Sequence, residues 1–136
     1  MYKLYYMPMC SSSRASKLIL REKAIKFESI NEPIWKRRVD FLKVNPEGDL
    51  PVIIDENNVK IIGYMSLAYY LDDNTVGENL IGTNPLQRLE VRRVCKWINN
   101  KFYKEVTENI VEERVFKSLR GLGQPSTEFL KAGRIN

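Results

Sequence analysis

Residues 45–54 have the sequence Asn-Pro-Glu-Gly-Asp-Leu-Pro-Val-Ile-Ile, a turn that leads through a proline into a short apolar strand. Pro and Gly interrupt regular structure and Asn and Asp favour turns, so residues 45–49 are predicted to be a tight turn. A second turn signal at Asp55–Asn58 separates the Leu50–Ile54 strand from Val59–Ile62. The middle of the chain is therefore predicted to contain an antiparallel hairpin, which limits the topologies open to the segments around it.

The flanking segments predict two more strands and three helices. The first strand is aromatic and ends at Pro8, and the helices carry apolar residues at helical spacing. The predicted strands are Tyr2–Tyr6 and Ile25–Ile30. The first two predicted helices are Ser11–Lys23 and Pro33–Val44, and Met65–Leu71 forms the start of a third. The resulting order, β-α-β-α-β-β-α, predicts an α/β protein with a thioredoxin-like fold in residues 1–73.

The remainder of the chain is predicted to be helical. Residues 74–84 are polar and rich in turn formers, and we interpret them as a linker. Pro85–Leu119 is one long helical pattern with an apolar stripe, and Gly121–Pro125 separates it from a last short helix. Residues 85–136 are thus predicted to be an incomplete all-helical domain. Its stripe is longer than the chain can cover, which predicts a homodimer or completion by another chain.

Composition excludes several functions. The 136 residues contain no His, so a Ser-His-Asp triad, a Cys-His dyad and a His-ligated metal site are impossible, and we expect no metal. Cys10 and Cys95 are far apart and indicate a reducing cytoplasm. The net charge of +5 is scattered, which argues against nucleic-acid binding. No apolar run is long enough for a transmembrane helix, and the N-terminus does not resemble a signal peptide.

Four segments together resemble the glutathione transferase family. Pro8–Arg14 resembles the Cys-Pro-x-Ser start of the first helix in cysteine-type members, and residues 45–53 resemble the family signature Asn-Pro-x-Gly-x-Val-Pro-Val-Leu. Tyr70–Asp73 is similar to the Tyr-Leu-Asp-Glu that ends the third helix, and Lys101–Thr107 resembles a second-domain helix of a bacterial subgroup. The resemblance is to bacterial, omega- and beta-like enzymes, and it implies that this chain is C-terminally truncated.

The resemblance makes Cys10 the catalytic residue. A thiol at the start of a helix has a lowered pKa, because peptide dipoles favour the thiolate. In omega and beta enzymes this cysteine forms mixed disulfides with glutathione, which implies thiol transfer rather than conjugation. Ser13 stands where a glutaredoxin has its resolving cysteine, so a monothiol route is implied. The alternative is that Cys10 is a small buried cysteine with no chemistry, which is also our interpretation of Cys95.

The resemblance also implies a glutathione site. Pro51 corresponds to a cis-proline, and the main chain of Leu50 would bind the cysteinyl backbone of glutathione. Arg37 would meet its glycyl carboxylate. The alternatives are a trans-proline entering an edge strand and, for Arg37, one of three solvated charges on a helix face.

Two departures from the family pattern bear on function. The family's Glu-Ser pair, which holds the γ-glutamyl group, falls on Gly63-Tyr64, and this predicts weak or no glutathione binding. The residues that would shape the electrophile pocket are missing as well. We therefore predict glutathione transfer or glutathione-dependent thiol transfer through Cys10 to a small electrophile or disulfide, with activity weak or lost. The competing predictions are a non-catalytic regulator or interaction protein resembling stringent starvation protein A, and a remnant without activity.

Overall fold

The computed structural model describes residues 1–135, which form two compact units. The first unit is Met1–Ile81, and the second begins at Gly82. The change from one unit to the other therefore falls within residues 74–84, the segment that the sequence predicts as a linker.

A four-stranded mixed sheet forms the centre of the first unit. The strands lie in the order β2-β1-β3-β4, with β1 parallel to β2 and antiparallel to β3. The strands are β1 Tyr2–Tyr6, β2 Phe27–Asn31, β3 Val52–Ile54 and β4 Lys60–Ile62. The helices are α1 Ser11–Glu22, a 3₁₀ turn Ile34–Lys36, α2 Val39–Val44 and α3 Tyr64–Asn74. This is the predicted α/β, thioredoxin-like fold, and the prediction is confirmed.

The core of the first unit lies between the sheet and two helices. Leu4 and Ile53 from the sheet pack with Leu20 of α1 and with Leu67 and Leu71 of α3, and all five are fully buried. Burying one such side chain stabilises the fold by about 1.5–3 kcal/mol. On β1 the alternate residue Tyr5 packs against Phe41 of α2, with 5.5 Å between ring centres. The sheet is therefore covered on both faces.

The register brings four chain segments to one edge of the sheet. Tyr5 at the end of β1 pairs with Val52 at the start of β3, and Val52 pairs with Ile62 at the end of β4. The amide of Gly63 also donates to the carbonyl of Pro51, at 3.0 Å. The segments after β1, after β2, before β3 and after β4 consequently meet at this edge, and we call it the active edge.

The segment after β2 differs from the sequence prediction. Instead of one helix over Pro33–Val44, a single 3₁₀ turn is followed by α2. Arg37 ends the 3₁₀ turn with a φ of 44°, a left-handed conformation that stops a right-handed helix. The helical spacing of the apolar residues does not indicate such a single-residue interruption.

The second unit is one continuous helical run with a short helix folded back on it. The run begins as α4, whose cap Asn84 accepts a hydrogen bond from the amide of Gln87 at 3.0 Å. It widens into a π-helix and ends as α5 before the last helix. The segments are α4 Pro85–Trp97, the π-helix Ile98–Phe116, α5 Lys117–Leu119 and α6 Thr127–Ile135.

The sequence analysis does not predict the π-helix, although the spacing of the apolar stripe residues is consistent with it. From Ile98 to Leu119 the stripe residues follow one another at spacings of 4, 4, 4, 5 and 4 residues. An α-helix has about 3.6 residues per turn and a π-helix more, so this spacing fits the wider winding better.

Close packing holds α6 against the π-helix. A Cβ added at Gly133 would lie 2.7 Å from a side-chain carbon of Ile110, so glycine is required at the crossing. The Glu113 carboxylate accepts hydrogen bonds from the amide of Ser126 at 2.6 Å and from Lys117 at 3.0 Å. Nearer the start of the run, the side chains of Trp97 and Phe102 are 48% and 41% exposed.

Candidate functional site

Cys10 lies at the active edge, where β1 passes into α1. It is the residue that caps α1, yet no side chain caps the helix and no acidic residue lies in its first turn. The helix begins at Ser11, as the sequence predicts, and Cys10 stands directly before it. Uncapped amides carry a partial positive charge, which favours an anion at this position. Cys10 is partly exposed, so its sulfur is within reach of a ligand.

Two serines of the first turn have different roles. The Ser12 Oγ lies 3.3 Å from the Cys10 Sγ, within hydrogen-bonding distance for sulfur. The Ser13 Oγ is buried and accepts a hydrogen bond from the amide of Met7 at 3.4 Å. Ser13 therefore ties α1 to the loop before Cys10, while Ser12 is the hydroxyl that contacts the thiol.

A cavity of about 120 Å³ adjoins Cys10. The loop Met7–Cys10 forms one side, and Tyr6, Ser13, Arg14 and Lys17 form the rest. The Lys17 Nζ lies 3.3 Å from the centre of the Tyr6 ring, a cation–π contact that fixes the ammonium group. Two positive side chains and no acidic one line the cavity.

The Asn45–Asp49 turn fixes the entry to β3. The buried Asn45 side chain donates to the Asp49 carboxylate at 2.6 Å and accepts from the amide of Glu47 at 3.3 Å. Gly48 has a φ of 75°, which favours glycine. The turn delivers Leu50 and Pro51 to the active edge, and the peptide bond between them is cis, as predicted.

The start of α3 also faces the active edge. Gly63 caps the helix with a φ of 83°, no side chain caps it, and its first turn has no acidic residue. A Cβ added at Gly63 would have no described atom within 4 Å, so only the positive φ disfavours other residues there. Tyr64 is the first helical residue and Ser66 is exposed beside it. The structure thus presents helix amides at the position where the resemblance implies an acidic side chain and a serine.

Arg37 and Glu32 follow β2 at the same edge. Arg37 is exposed, and no ion pair to it is found in residues 1–135. Glu32 is fully buried, and neither carboxylate oxygen has a hydrogen-bond partner in that range. The nearest cation is Arg38, with 3.7 Å between its Nη1 and the Glu32 Oε2.

The register places the predicted site residues in segments that share the active edge. Cys10 and Ser13 follow β1, Leu50 and Pro51 precede β3, and the Gly63–Tyr64 pair follows β4. Arg37 lies on the segment after β2, and no ion pair within residues 1–135 fixes the position of its side chain. The sequence analysis missed Ser12, Arg14 and Lys17. The signal for the two cations was present, because positions 10, 14 and 17 share one face of a helix.

Residues 1–135 contain neither a cluster of metal-ligating side chains nor a helix that could span a membrane. In residues 1–135 no three Asp, Glu or Cys side chains are grouped so that they would hold a metal ion. The described helices also include none with the length and apolarity needed to cross a bilayer.

Comparison with known proteins identifies relatives of the whole described chain. Residues 4–79 match the profile of the glutathione S-transferase N-terminal domain. A glutathione S-transferase structure from Rhodospirillum rubrum has 33% identity and a TM-score of 0.96, and the match covers 100% of this chain and 61% of that one. One from Sinorhizobium meliloti has 35% identity and a TM-score of 0.91, with 100% and 62% covered.

A curated relative has a different name. FtsZ-localized protein A of Caulobacter vibrioides is 28% identical over 134 residues, which are 96% of this chain and 59% of that protein. The chain thus spans about three-fifths of the length of the relatives that it matches along its whole extent.

Proposed function

The chain belongs to the glutathione S-transferase family, and from this premise we propose that it binds glutathione at the active edge and exchanges thiols through Cys10. The observation that carries the proposal is the position of Cys10 as the cap of an otherwise uncapped helix, beside a cavity. The Ser12 Oγ lies 3.3 Å from the Cys10 sulfur, and the free amides at a helix start favour negative charge beside them.

The proposed reaction is thiol–disulfide exchange. The Cys10 thiolate attacks one sulfur of a disulfide, a new S–S bond forms, and the second sulfur leaves as a thiolate. A glutathione thiolate then attacks the mixed disulfide and restores the Cys10 thiolate. Ser13 occupies the position of a resolving cysteine, so the second thiol comes from glutathione. A small electrophile is the alternative second substrate, with glutathione as the nucleophile.

Glutathione would lie along the main chain rather than on charged side chains. The hydrogen bonds found in residues 1–135 leave the amide and carbonyl of Leu50 unpaired, which suits the cysteinyl backbone. The open start of α3 suits the γ-glutamyl carboxylate, and Arg37 suits the glycyl carboxylate. The acidic partner of the γ-glutamyl amine is missing at Gly63. One lost charge-assisted hydrogen bond weakens binding by about ten- to a hundredfold, so we expect a weak complex.

The test uses glutathione disulfide as the probe and intact-protein mass spectrometry as the readout. We expect one glutathione adduct on the unmodified chain and on Cys95→Ser, and none on Cys10→Ser. Added glutathione should remove the adduct. Equal labelling of both cysteines, or labelling no faster than in urea-unfolded protein, would contradict the proposal.

A second candidate function is a binding protein without chemistry. It is favoured by the pair Gly63–Tyr64, because the positive φ of Gly63 disfavours any acidic residue there. The match to FtsZ-localized protein A along 96% of the chain agrees with this alternative, since its name describes a localisation and no reaction. Failure of the glutathione-disulfide test, with the fold intact, would favour it.

We also propose that the chain self-associates in the cytoplasm, where its two free thiols would stay reduced. Trp97 and Phe102 lie 5.8 Å apart between ring centres and are both partly exposed. A second copy is the proposed partner, and Trp97→Ser with Phe102→Ser should reduce association in sedimentation experiments. A single monomer species of the unmodified chain at micromolar concentration would contradict this.

A further inference from the structure

The cavity beside Cys10 has an unusual balance of charge. Arg14 and Lys17 are the charged side chains that line it, and both are cations. Arg14 is exposed and has no ion pair in residues 1–135. Lys17 contacts the Tyr6 ring, which fixes its ammonium group without neutralising it. The cavity therefore contains two positive charges that no carboxylate of the described chain compensates.

The helix start adds to this positive potential. No acidic residue lies in the first turn of α1, and no side chain accepts from its free amides as a cap. Both cations follow Cys10 on the same helix face, one and two turns further on. The Met7–Cys10 loop adds the apolar side chains of Met7, Pro8 and Met9 to the lining. A ligand group that suits the cavity is thus small and anionic, with an apolar part.

We propose that this cavity receives an anionic group of the molecule that reacts with Cys10. Arg14 and Lys17 are the specificity-determining residues, and the preferred second substrate is a disulfide or electrophile that carries a carboxylate or sulfonate near the reacting atom. The proposal rests on the proposed role of Cys10 as nucleophile. It adds the charge of the second substrate. The proposed glutathione contacts at Leu50 and at the start of α3 do not specify that charge.

The step is the same exchange with a charged partner. The Cys10 thiolate attacks the sulfur attached to the anionic group, the S–S bond breaks, and the departing sulfur takes the electron pair. The cations lie beside the incoming group and do not take part in the bond changes. Their effect is to raise the local concentration of the anion next to the sulfur.

The test compares two methanethiosulfonate probes of similar size, one with a sulfonatoethyl and one with a trimethylammonioethyl group. Each transfers its thioalkyl group to Cys10 and releases methanesulfinate. Rates are measured on Cys95→Ser by intact-protein mass spectrometry, and the ratio of the anionic to the cationic rate is referred to the same protein in urea.

The expected ratio is at least about tenfold above the urea reference. A unit charge about 5 Å away in a water-like dielectric changes each probe's rate about fourfold and in opposite directions, so Arg14→Gln and Lys17→Gln should each lower the ratio by up to about sixteenfold. Lys17→Arg should keep it. Arg21→Gln is the matched control, because it removes one charge from an exposed position of α1 that does not line the cavity.

Three results would overturn the proposal: a ratio equal to the urea reference, an equal fall with Arg21→Gln, or a ratio unchanged by both cavity variants. The glutathione-disulfide test is a separate measurement. A missing glutathione adduct together with a retained probe preference would remove glutathione as a substrate and support the anion cavity.

Discussion

The ion pair between Lys23 and Asp72 offers a direct test of what holds the first unit together. The Lys23 Nζ lies 2.8 Å from the Asp72 Oδ1, and each side chain is only 4% exposed. Lys23 also donates to the carbonyl of Glu78 at 2.6 Å. Asp72 accepts from the amides of Leu80 at 3.0 Å and Ile81 at 2.9 Å. The pair thus joins α1, α3 and the chain that leads to Ile81.

The perturbation is Lys23→Met, which keeps the aliphatic stem and removes the charge. Breaking a buried pair from one side costs about 3–5 kcal/mol, because the remaining charge has lost its partner. The two amides still bind Asp72, so the lower end, about 3 kcal/mol, is expected. For a unit of this size that corresponds to a fall in Tm of about 12–24 °C. Lys26→Met, at an exposed position, is the matched control and should stay within about 0.5 kcal/mol.

Acid titration gives a second readout on the same pair. Burial by itself raises the pKa of Asp72, but the amide of Leu80, the Lys23 ammonium and the amide of Ile81 lower it below its usual value. A carboxyl with a lowered pKa in the folded state contributes stability above its unfolded pKa and loses it as the pH falls through the folded value. Lys23→Met should therefore show a smaller loss of stability below about pH 4.

The assay is urea unfolding followed by circular dichroism at several pH values, with all three proteins under the same conditions. Equal unfolding free energies for Lys23→Met and Lys26→Met at neutral pH would refute the reasoning. So would an acid dependence of Lys23→Met as steep as that of the unmodified chain.

Two further predictions concern other contacts. Gly133→Ala should destabilise the packing of α6 by about 1–3 kcal/mol, because its Cβ would meet Ile110 at 2.7 Å, and urea unfolding compared with Ala132→Gly would check this. Tyr70→Phe should lower stability at neutral pH but flatten its alkaline dependence. The Tyr70 hydroxyl donates to Asp55 at 2.6 Å, which raises the pKa of Tyr70 to about 12. Its contribution to stability is therefore fully present below about pH 10 and is lost as the pH rises through about 12. This assignment would be contradicted if Tyr70→Phe lost stability at alkaline pH as steeply as the unmodified chain.

Much of the first unit could be predicted from sequence, because its signals are local. Turn residues, strand alternation and helical spacing each depend on neighbouring positions, and together they predicted the thioredoxin-like fold. The cis bond at Pro51 followed from the resemblance and is confirmed. Tyr70–Asp73 was noticed only as a motif. The structure gives its physical content, since Tyr70 binds Asp55 and Asp72 binds Lys23.

The buried charges could not be predicted in this way. Lys23, Asp72 and Glu32 belong to residue types that are mostly exposed, and their partners come from distant or irregular segments. Hydropathy assigns such residues to the surface. The π-helix was missed for a related reason, since a helical pattern was expected to follow the common winding of 3.6 residues per turn.

The candidate site shows the same division between local and distant information. Cys10 was singled out by the family resemblance and by its place between a predicted strand and a predicted helix, and the structure places it as the cap of α1. Arg14 and Lys17 were overlooked because charged residues on a helix are ordinary, and their spacing from Cys10 gains meaning only beside a cavity. The cavity depends on the Met7–Cys10 loop, whose residue Met9 has a φ of 64° that no periodicity indicates. The proposed chemistry at this edge is therefore suggested by residue types, whereas the proposed selectivity depends on the conformation of the Met7–Cys10 loop, which forms a cavity together with two ordinary cations of α1.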